Sequence, residues 1–389
     1  MSIINRNYRR RKSYFYKMID AKRLEKEAND GKTPEEKQEK FEKALAKTAG
    51  TKYAVLFGSG NHALSTGLKN LGLGQSDETL VQAFTCKQVP KIISQVCKTV
   101  LTDIDENYNI SLKSAGKQIT KKTRMMQAIY SYGKAIESAE LEEFCEKNDL
   151  ILVEDCAHSL GAKNGKKTGS FGEFSVFSLR KNLPVGNGGA LCTNNRSLYE
   201  KCVVERNSNR RNASLRKNAL ESNIIFFRKN FPQAEFPYFF LSKLGYGKSE
   251  MNKEFLDSFE ISLAIQSLEM LPEIVRGTVS NAKLLIRELG EEKFVLPRDE
   301  KNEINVYTRV PVFFNHPAKS TEKIWQELQN DGFETGLFYK KDFELTAGTE
   351  KAKLPVSVRA SEHMVPVGVQ GLTKEQIINL AEKIREFSE

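Results

Sequence analysis

Three stretches of the chain place reactive side chains at the ends of apolar runs. VEDCAHSLGA (Val153 to Ala162) closes a buried-looking strand on Glu154 and Asp155. GEFSVFSLRK ends a second such run on Arg180 and Lys181, and NLPVGNGGAL then steps through Gly188 and Gly189 into a third. An acid, a later lysine and a Gly-Gly step in this order is the layout of a pyridoxal phosphate (PLP) site. There a lysine holds the cofactor's aldehyde as a Schiff base, and an Asp pairs with the pyridinium nitrogen.

Each residue also has a plainer reading. FGSGNHAL sets a glycine-rich turn between a strand and a helix starting near Asn61; Gly58 and Gly60 let backbone approach a phosphate at the helix N-terminus. Alone, that turn is shared by many α/β proteins. Asp155 ends its strand as a carboxylate in need of a partner; its neighbour Glu154 is a second candidate, turned to the opposite face if the strand alternates. His158 suits a hydrogen bond to the cofactor's phenolic oxygen, although by itself it reads as a helix-terminal or surface histidine. Lys181 has Arg180 as its decoy. Its place between an apolar strand and Gly-Gly implies desolvation, which lowers a lysine pKa and suits Schiff-base and proton-transfer work. Ser178 or Ser175 offers a hydroxyl to the phosphate.

The elements that must position these residues follow from hydrophobic pattern. Strands are expected at 52–57, 78–83, 98–104, 124–130, 150–155, 174–179 and 189–193, with helical patterns such as HALSTGLKNLG and SAELEEFCEKN between them. This alternation predicts an α/β fold: a mainly parallel seven-stranded sheet covered on both faces, with ligands gathering at the carboxyl ends of its strands. A charged helical arm (1–40) precedes this large domain (41–270). Within residues 1–50, Thr33-Pro34-Glu35-Glu36 reads as a capped helix start and Gly50 as the helix end. A smaller C-terminal α/β domain (271–389) follows a long helical pattern over Phe255 to Leu289. It contains INVYTRVPVFF as a strand, STEKIWQELQNDG as a helix ending on Gly332, and TKEQIINLAEKIREF as a final helix. The basic, aromatic insertion 206–250 reads first as a lid or subunit-interface segment. Contact with an anionic membrane surface is its second reading.

Composition narrows the class. A chain of 389 residues, 39% hydrophobic and 28% charged, suits a soluble two-domain protein, and no run approaches the roughly 20 apolar residues of a membrane span. MSIINRNYRRRKSYFYK has basic residues but no apolar core or cleavage site behind them, so no signal peptide is expected. Six cysteines without a CxxC pair or metal spacing point to a reducing cytoplasm and no metal site. The net charge of +10 is spread over abundant Lys and Glu, and without a recognition motif it does not predict nucleic-acid binding.

Taken together, these blocks resemble the DegT/StrS family of PLP-dependent sugar aminotransferases, which have the type I aminotransferase fold. FEKALAKTAGTKYAVLFGSGNHALSTGLKNLGLG resembles the family's N-terminal block, and LTDIDENYNIS its "VDID…YNID" block. AIYSYGKA, VEDCAHSLGA and KNLPVGNGGALCTNN resemble its "vHlYG" strand, acid motif and lysine block, and LPVSVRASEHMVPV…LTKEQI resembles its closing segment. The resemblance implies that Lys181 carries the Schiff base and shuttles the proton, and that Asp155 pairs with the ring nitrogen. His158 then lies near the ring oxygen. Gly60 and Asn61 form the phosphate turn, with Ser178 as the phosphate serine and Ser175 still open. It further implies a homodimer with shared sites, glutamate or glutamine as amino donor, and a nucleotide-linked keto-sugar as acceptor for surface polysaccharide or a related glycan.

The chain departs from the family pattern at cofactor and partner-subunit positions. Asn61 stands where the family usually has Thr, and Cys86 occupies the ring-stacking position after Ala83-Phe84-Thr85, so weaker stacking is expected. The partner-subunit motif "YN.RM" is absent, its nearest counterpart being Ser258-Phe259-Glu260-Ile261. Two alternatives remain at the level of sequence. One is a sugar dehydratase, against which a retained Lys181 argues. The other is a non-catalytic regulatory or binding protein on the same scaffold, which has no need of Asp155 and Lys181 in register.

Overall fold

The computed structural model describes residues 18–208 and 256–388. Residues 1–17 and 209–255, which hold the basic N-terminal stretch and nearly all of the 206–250 segment, lie outside the described residues.

All seven expected strands form one sheet. They are β1 (Tyr53–Phe57), β2 (Glu78–Gln82), β3 (Lys98–Thr102), β4 (Thr123–Ile129), β5 (Ile151–Asp155), β6 (Phe174–Ser178) and β7 (Gly189–Thr193), in the order β1-β7-β6-β5-β4-β2-β3. The four pairings from β6 to β3 are parallel; β7 runs antiparallel to both β1 and β6. β2, β6 and β7 are buried along their whole length, as continuous apolar runs in a doubly covered sheet should be. Alternate residues feed separate cores: Val81, Met125 and Val153 join one apolar cluster, while Leu80, Met126 and Leu152 join another.

Local signals fix the helices. α1 (Pro34–Ala49) begins with a capping box in which Thr33 accepts from the Glu36 amide and Glu36 accepts from the Thr33 amide, and Gly50 ends it at φ +83°. α2 (Gly60–Lys69) follows β1, with the Ser59 side chain accepting from the His62 amide. The helical pattern over Phe255 to Leu289 is two helices, α3 (Ser258–Glu269) and α4 (Leu271–Leu289). The break falls where Pro272 removes a backbone donor at the start of the second.

The C-terminal part builds a three-stranded antiparallel sheet from β8 (Phe294–Val295), β9 (Val310–Phe314) and β10 (Met364–Val367). Around it lie α5 (Thr321–Asn330), α6 (Phe338–Ala347), α7 (Pro355–His363) and α8 (Lys374–Arg385). INVYTRVPVFF is a strand only from Val310. Its first half is drawn to the large sheet's side, with the Ile304 amide on Lys163 O (2.7 Å) and the Val306 amide on Gly133 O (3.0 Å), and Tyr307 at φ +43° breaks the extended run. A second tie comes from Asp103, beyond β3, whose carboxylate accepts from the Val356 and Ser357 amides and the Ser357 hydroxyl at 2.6–2.9 Å. The six cysteines are free, and among the described residues no helix is long and apolar enough to cross a membrane.

Candidate active site

The ends of β1 and β6 meet because β7 runs backwards between them, and β5 ends beside β6. In the sheet register Gly189, the first residue of β7, pairs with Phe57 at the end of β1 and with Ser178 at the end of β6. A Cβ on Gly189 would lie 2.1 Å from the Gly60 nitrogen, so only glycine lets the lysine loop pass the start of α2 this closely. Gly60 in turn lies against Ser178: a Cβ there would stand 3.6 Å from the Ser178 Cβ. The helix N-terminus, the Gly58 and Gly60 turn, half-buried Asn61 and the Ser178 side chain therefore form one cradle. Ser175 is not part of it. Its hydroxyl donates to Gly169 O at 2.8 Å on the sheet's interior.

Lys181 sits in the single helical turn Leu179–Asn182 that follows β6. Its Nζ is 2.8 Å from His158 Nε2. Desolvation lowers the Lys181 pKa, and the nearby Asp155 carboxylate partly offsets this. Asp155 ends β5, is 6% exposed and accepts from the Ala157 amide at 3.0 Å. Burial raises its pKa, while Lys181 and the Ala157 amide pull it down. Glu154 faces the other way, as strand alternation requires. It accepts from Tyr130 Oη (2.6 Å) and the amides of Gly169 (2.7 Å), Phe171 (3.2 Å) and Gly172 (2.8 Å). Arg180 is exposed, which leaves Lys181 as the lysine-loop cation turned inward.

Cys86 is close enough to this group to feel the Lys181 and Asp155 charges. Burial pushes its thiol pKa up, against the Gln88 amide and the Lys181 charge, which lower it. Gly60, Asn61, Cys86, Asp155, His158, Ser178 and Lys181 are thus gathered at one end of the sheet. Ser258 to Ile261 instead form the first turn of α3, capped by Asp257 and Glu260, with Ile261 buried.

Three groups went unread in the sequence. Asn182 Nδ2 donates to Ala157 O (2.9 Å) and Ser178 O (3.0 Å), and Asn182 Oδ1 accepts from the Leu160 amide (3.3 Å), so this side chain ties the lysine turn to the acid loop. Its adjacency to Lys181 was the available signal. Arg309, on the C-terminal part, holds Glu334 at 2.8 Å and is close enough to depress Lys181 further. Tyr339, on α6, is buried beside His158, Tyr132 and Phe84. No local pattern marks either of the last two.

The arrangement offers a desolvated amine, a buried carboxylate and an anion cradle at one end of the sheet. That donor set fits PLP: nucleophile for the aldehyde, acid for the ring nitrogen, backbone amides and hydroxyl for the phosphate.

Comparison with known proteins agrees with the fold. The sequence is 33% identical over 174 residues to a GDP-perosamine synthase of Vibrio cholerae, covering 43% of this chain and 47% of that protein. The chain thus spans about half the length of such curated relatives. It is 24% identical over 360 residues to a pleiotropic regulatory protein of Geobacillus stearothermophilus, covering 90% of this chain and 88% of that one. The structure superposes on Helicobacter pylori PseC, an aminotransferase involved in the biosynthesis of pseudoaminic acid, with a TM-score of 0.72, 20% identity and 90% of each chain covered, which is a likeness of fold. A sequence model of the DegT/DnrJ/EryC1/StrS aminotransferases matches residues 20–385, and with the type I fold and this site in place the chain belongs to that family.

Proposed function

We propose that this chain is a PLP-dependent aminotransferase. It moves an amino group from glutamate or glutamine to a nucleotide-linked keto-sugar, for surface polysaccharide or a related glycan. The observation that carries the reading is Lys181 Nζ at 2.8 Å from His158 Nε2, beside the buried Asp155, with the Gly60 and Ser178 cradle at the same sheet end. Relatives named as nucleotide-sugar enzymes support the acceptor class.

Bound PLP supplies an electron sink for amine transfer. The chain's own residues do the rest. Lys181 Nζ is the nucleophile for the aldehyde; desolvation favours its neutral form, and Asp155 keeps protonation within reach. Nζ and His158 Nε2 are at proton-transfer distance. The Asp155 carboxylate needs a cationic partner in its buried place, and a protonated ring nitrogen is one. Gly60, Asn61 and Ser178 hold the phosphate, and Cys86 lines the ring. The reading extends to a cytoplasmic homodimer and to the division 1–40, 41–270 and 271–389. In support of a boundary near 271, one apolar cluster is made wholly of residues beyond it.

The test is the visible absorbance of the purified protein with PLP, before and after glutamate and then glutamine, with Lys181→Ala beside it. Wild type should give a yellow band that the donor bleaches, and Lys181→Ala should give none and lose turnover by about 10⁴-fold. Equal turnover in the two proteins sinks the proposal.

A further inference from the structure

The lysine and acid come from the large sheet; the aromatic rings near them come partly from elsewhere in the chain. The loop after β2 runs Ala83-Phe84-Thr85-Cys86-Lys87, and Cys86 brings no ring to the site. α6 docks on this same loop. Asp342 Oδ2 accepts from the Lys87 amide at 3.1 Å, and Phe343 meets Phe84 edge-on with ring centroids 6.1 Å apart. These contacts lie one residue after and two residues before Cys86. Tyr339 is three and four residues before Asp342 and Phe343, and so on the same helix face.

That face turns the Tyr339 ring inward. It lies edge-on to Phe84 (5.7 Å, 88°) and tilted against Tyr132 (5.3 Å, 38°). Against His158 it is nearly parallel, at 14° and 6.1 Å between centroids. His158 is the residue whose Nε2 contacts Lys181 Nζ, so the Tyr339 ring lies beside the lysine's own partner. The ring is 8% exposed. Burial pushes its hydroxyl pKa up.

We propose that Tyr339 is the aromatic wall of the cofactor pocket, its ring face packing on the PLP ring in the place where the Cys86 loop supplies none. This rests on the function proposed above. A flat π face beside a cationic heteroaromatic ring gains both stacking and cation–π attraction. α6 is then a cofactor-binding element, held to the large sheet by the Asp342 bond to Lys87.

The experiment measures PLP affinity by equilibrium dialysis, with circular dichroism of the bound cofactor's visible band as a second readout. Four proteins are compared: wild type, Tyr339→Phe, Tyr339→Leu, and Tyr339→Leu combined with Cys86→Phe. Tyr339→Phe should stay within about twofold of wild type, whereas Tyr339→Leu should weaken binding by about three- to tenfold and flatten the dichroic band. Restoring a ring from the Cys86 loop, in the Cys86→Phe combination, should recover most of the loss. The proposal is overturned if Tyr339→Leu binds like wild type, if Tyr339→Phe is as weak as Tyr339→Leu, or if the combination is no better than Tyr339→Leu alone. Thermal unfolding without PLP identifies a variant that fails to fold, and Tyr339→Phe then decides against wild type. Wild type that takes up no PLP overturns the enzymatic reading itself; wild type that binds while the variants are indifferent overturns only the role of Tyr339.

Discussion

Glu154 and Asp155, consecutive on β5, face opposite sides of the sheet. Glu154 accepts from one hydroxyl and three amides and stitches the Gly169 to Gly172 turn to Tyr130, whereas Asp155 accepts from the Ala157 amide and stands beside Lys181. One carboxylate is spent on structural hydrogen bonds, and the other is left beside the lysine.

The two should separate on mutation. Glu154→Ala strands buried donors and should cost about 3 kcal/mol or more in urea unfolding. Asp155→Asn keeps an acceptor for the Ala157 amide, so its midpoint should move little while amine transfer falls at least about 100-fold. Similar stability losses in both variants would contradict this division.

Asn182 should act through Lys181. Asn182→Ala removes three hydrogen bonds, two of which join the lysine turn to the acid loop. The expected cost is about 2 kcal/mol of stability, with weaker PLP retention on dialysis. Unchanged retention would mean that the turn is positioned without it.

Asp105 gives a pH signature in stability. Burial pushes its carboxyl up to about 6, against the Asn109 and Asn107 amides that favour the charged form. Between about pH 4, where an unfolded Asp has lost its proton, and about pH 6, the folded chain still holds it. This group's contribution therefore falls as pH rises through that interval and is flat above it. Asp105→Asn should gain about 1–2 kcal/mol relative to wild type between about pH 4 and pH 7 in paired urea titrations, allowing for partial solvent screening. A difference that does not vary with pH would show the carboxylate already ionised throughout.

Much of the fold was legible because its signals are local. Seven apolar runs read as strands and are strands, and Thr33 with Glu36 announced a helix start that both side chains cap. Where expectation and structure part, a distant partner intervenes. Ile304 and Val306 give their amides to Lys163 and Gly133, so the expected long strand begins only at Val310. The opposite facing of Glu154 and Asp155 followed from strand periodicity. The surroundings of Ser178 and Ser175 did not, because they depend on residues distant in sequence or outside the strand: Ser175 donates to Gly169 O, and Ser178 lies against Gly60.

The sequence by itself determined the strand pattern, the order of glycine turn, acid and lysine, and the opposed faces of Glu154 and Asp155. Each is written in residue type and spacing along a short stretch. Only the tertiary structure decided that β7 runs backwards to bring Gly189 against Gly60, that Asn182 locks the lysine turn to the acid loop, and that Tyr339 reaches the site from a helix far along the chain. Those contacts join residues with no periodic relation to one another. They exist because packing the sheet and the C-terminal part together buries apolar surface, and that burial fixes which side chains meet.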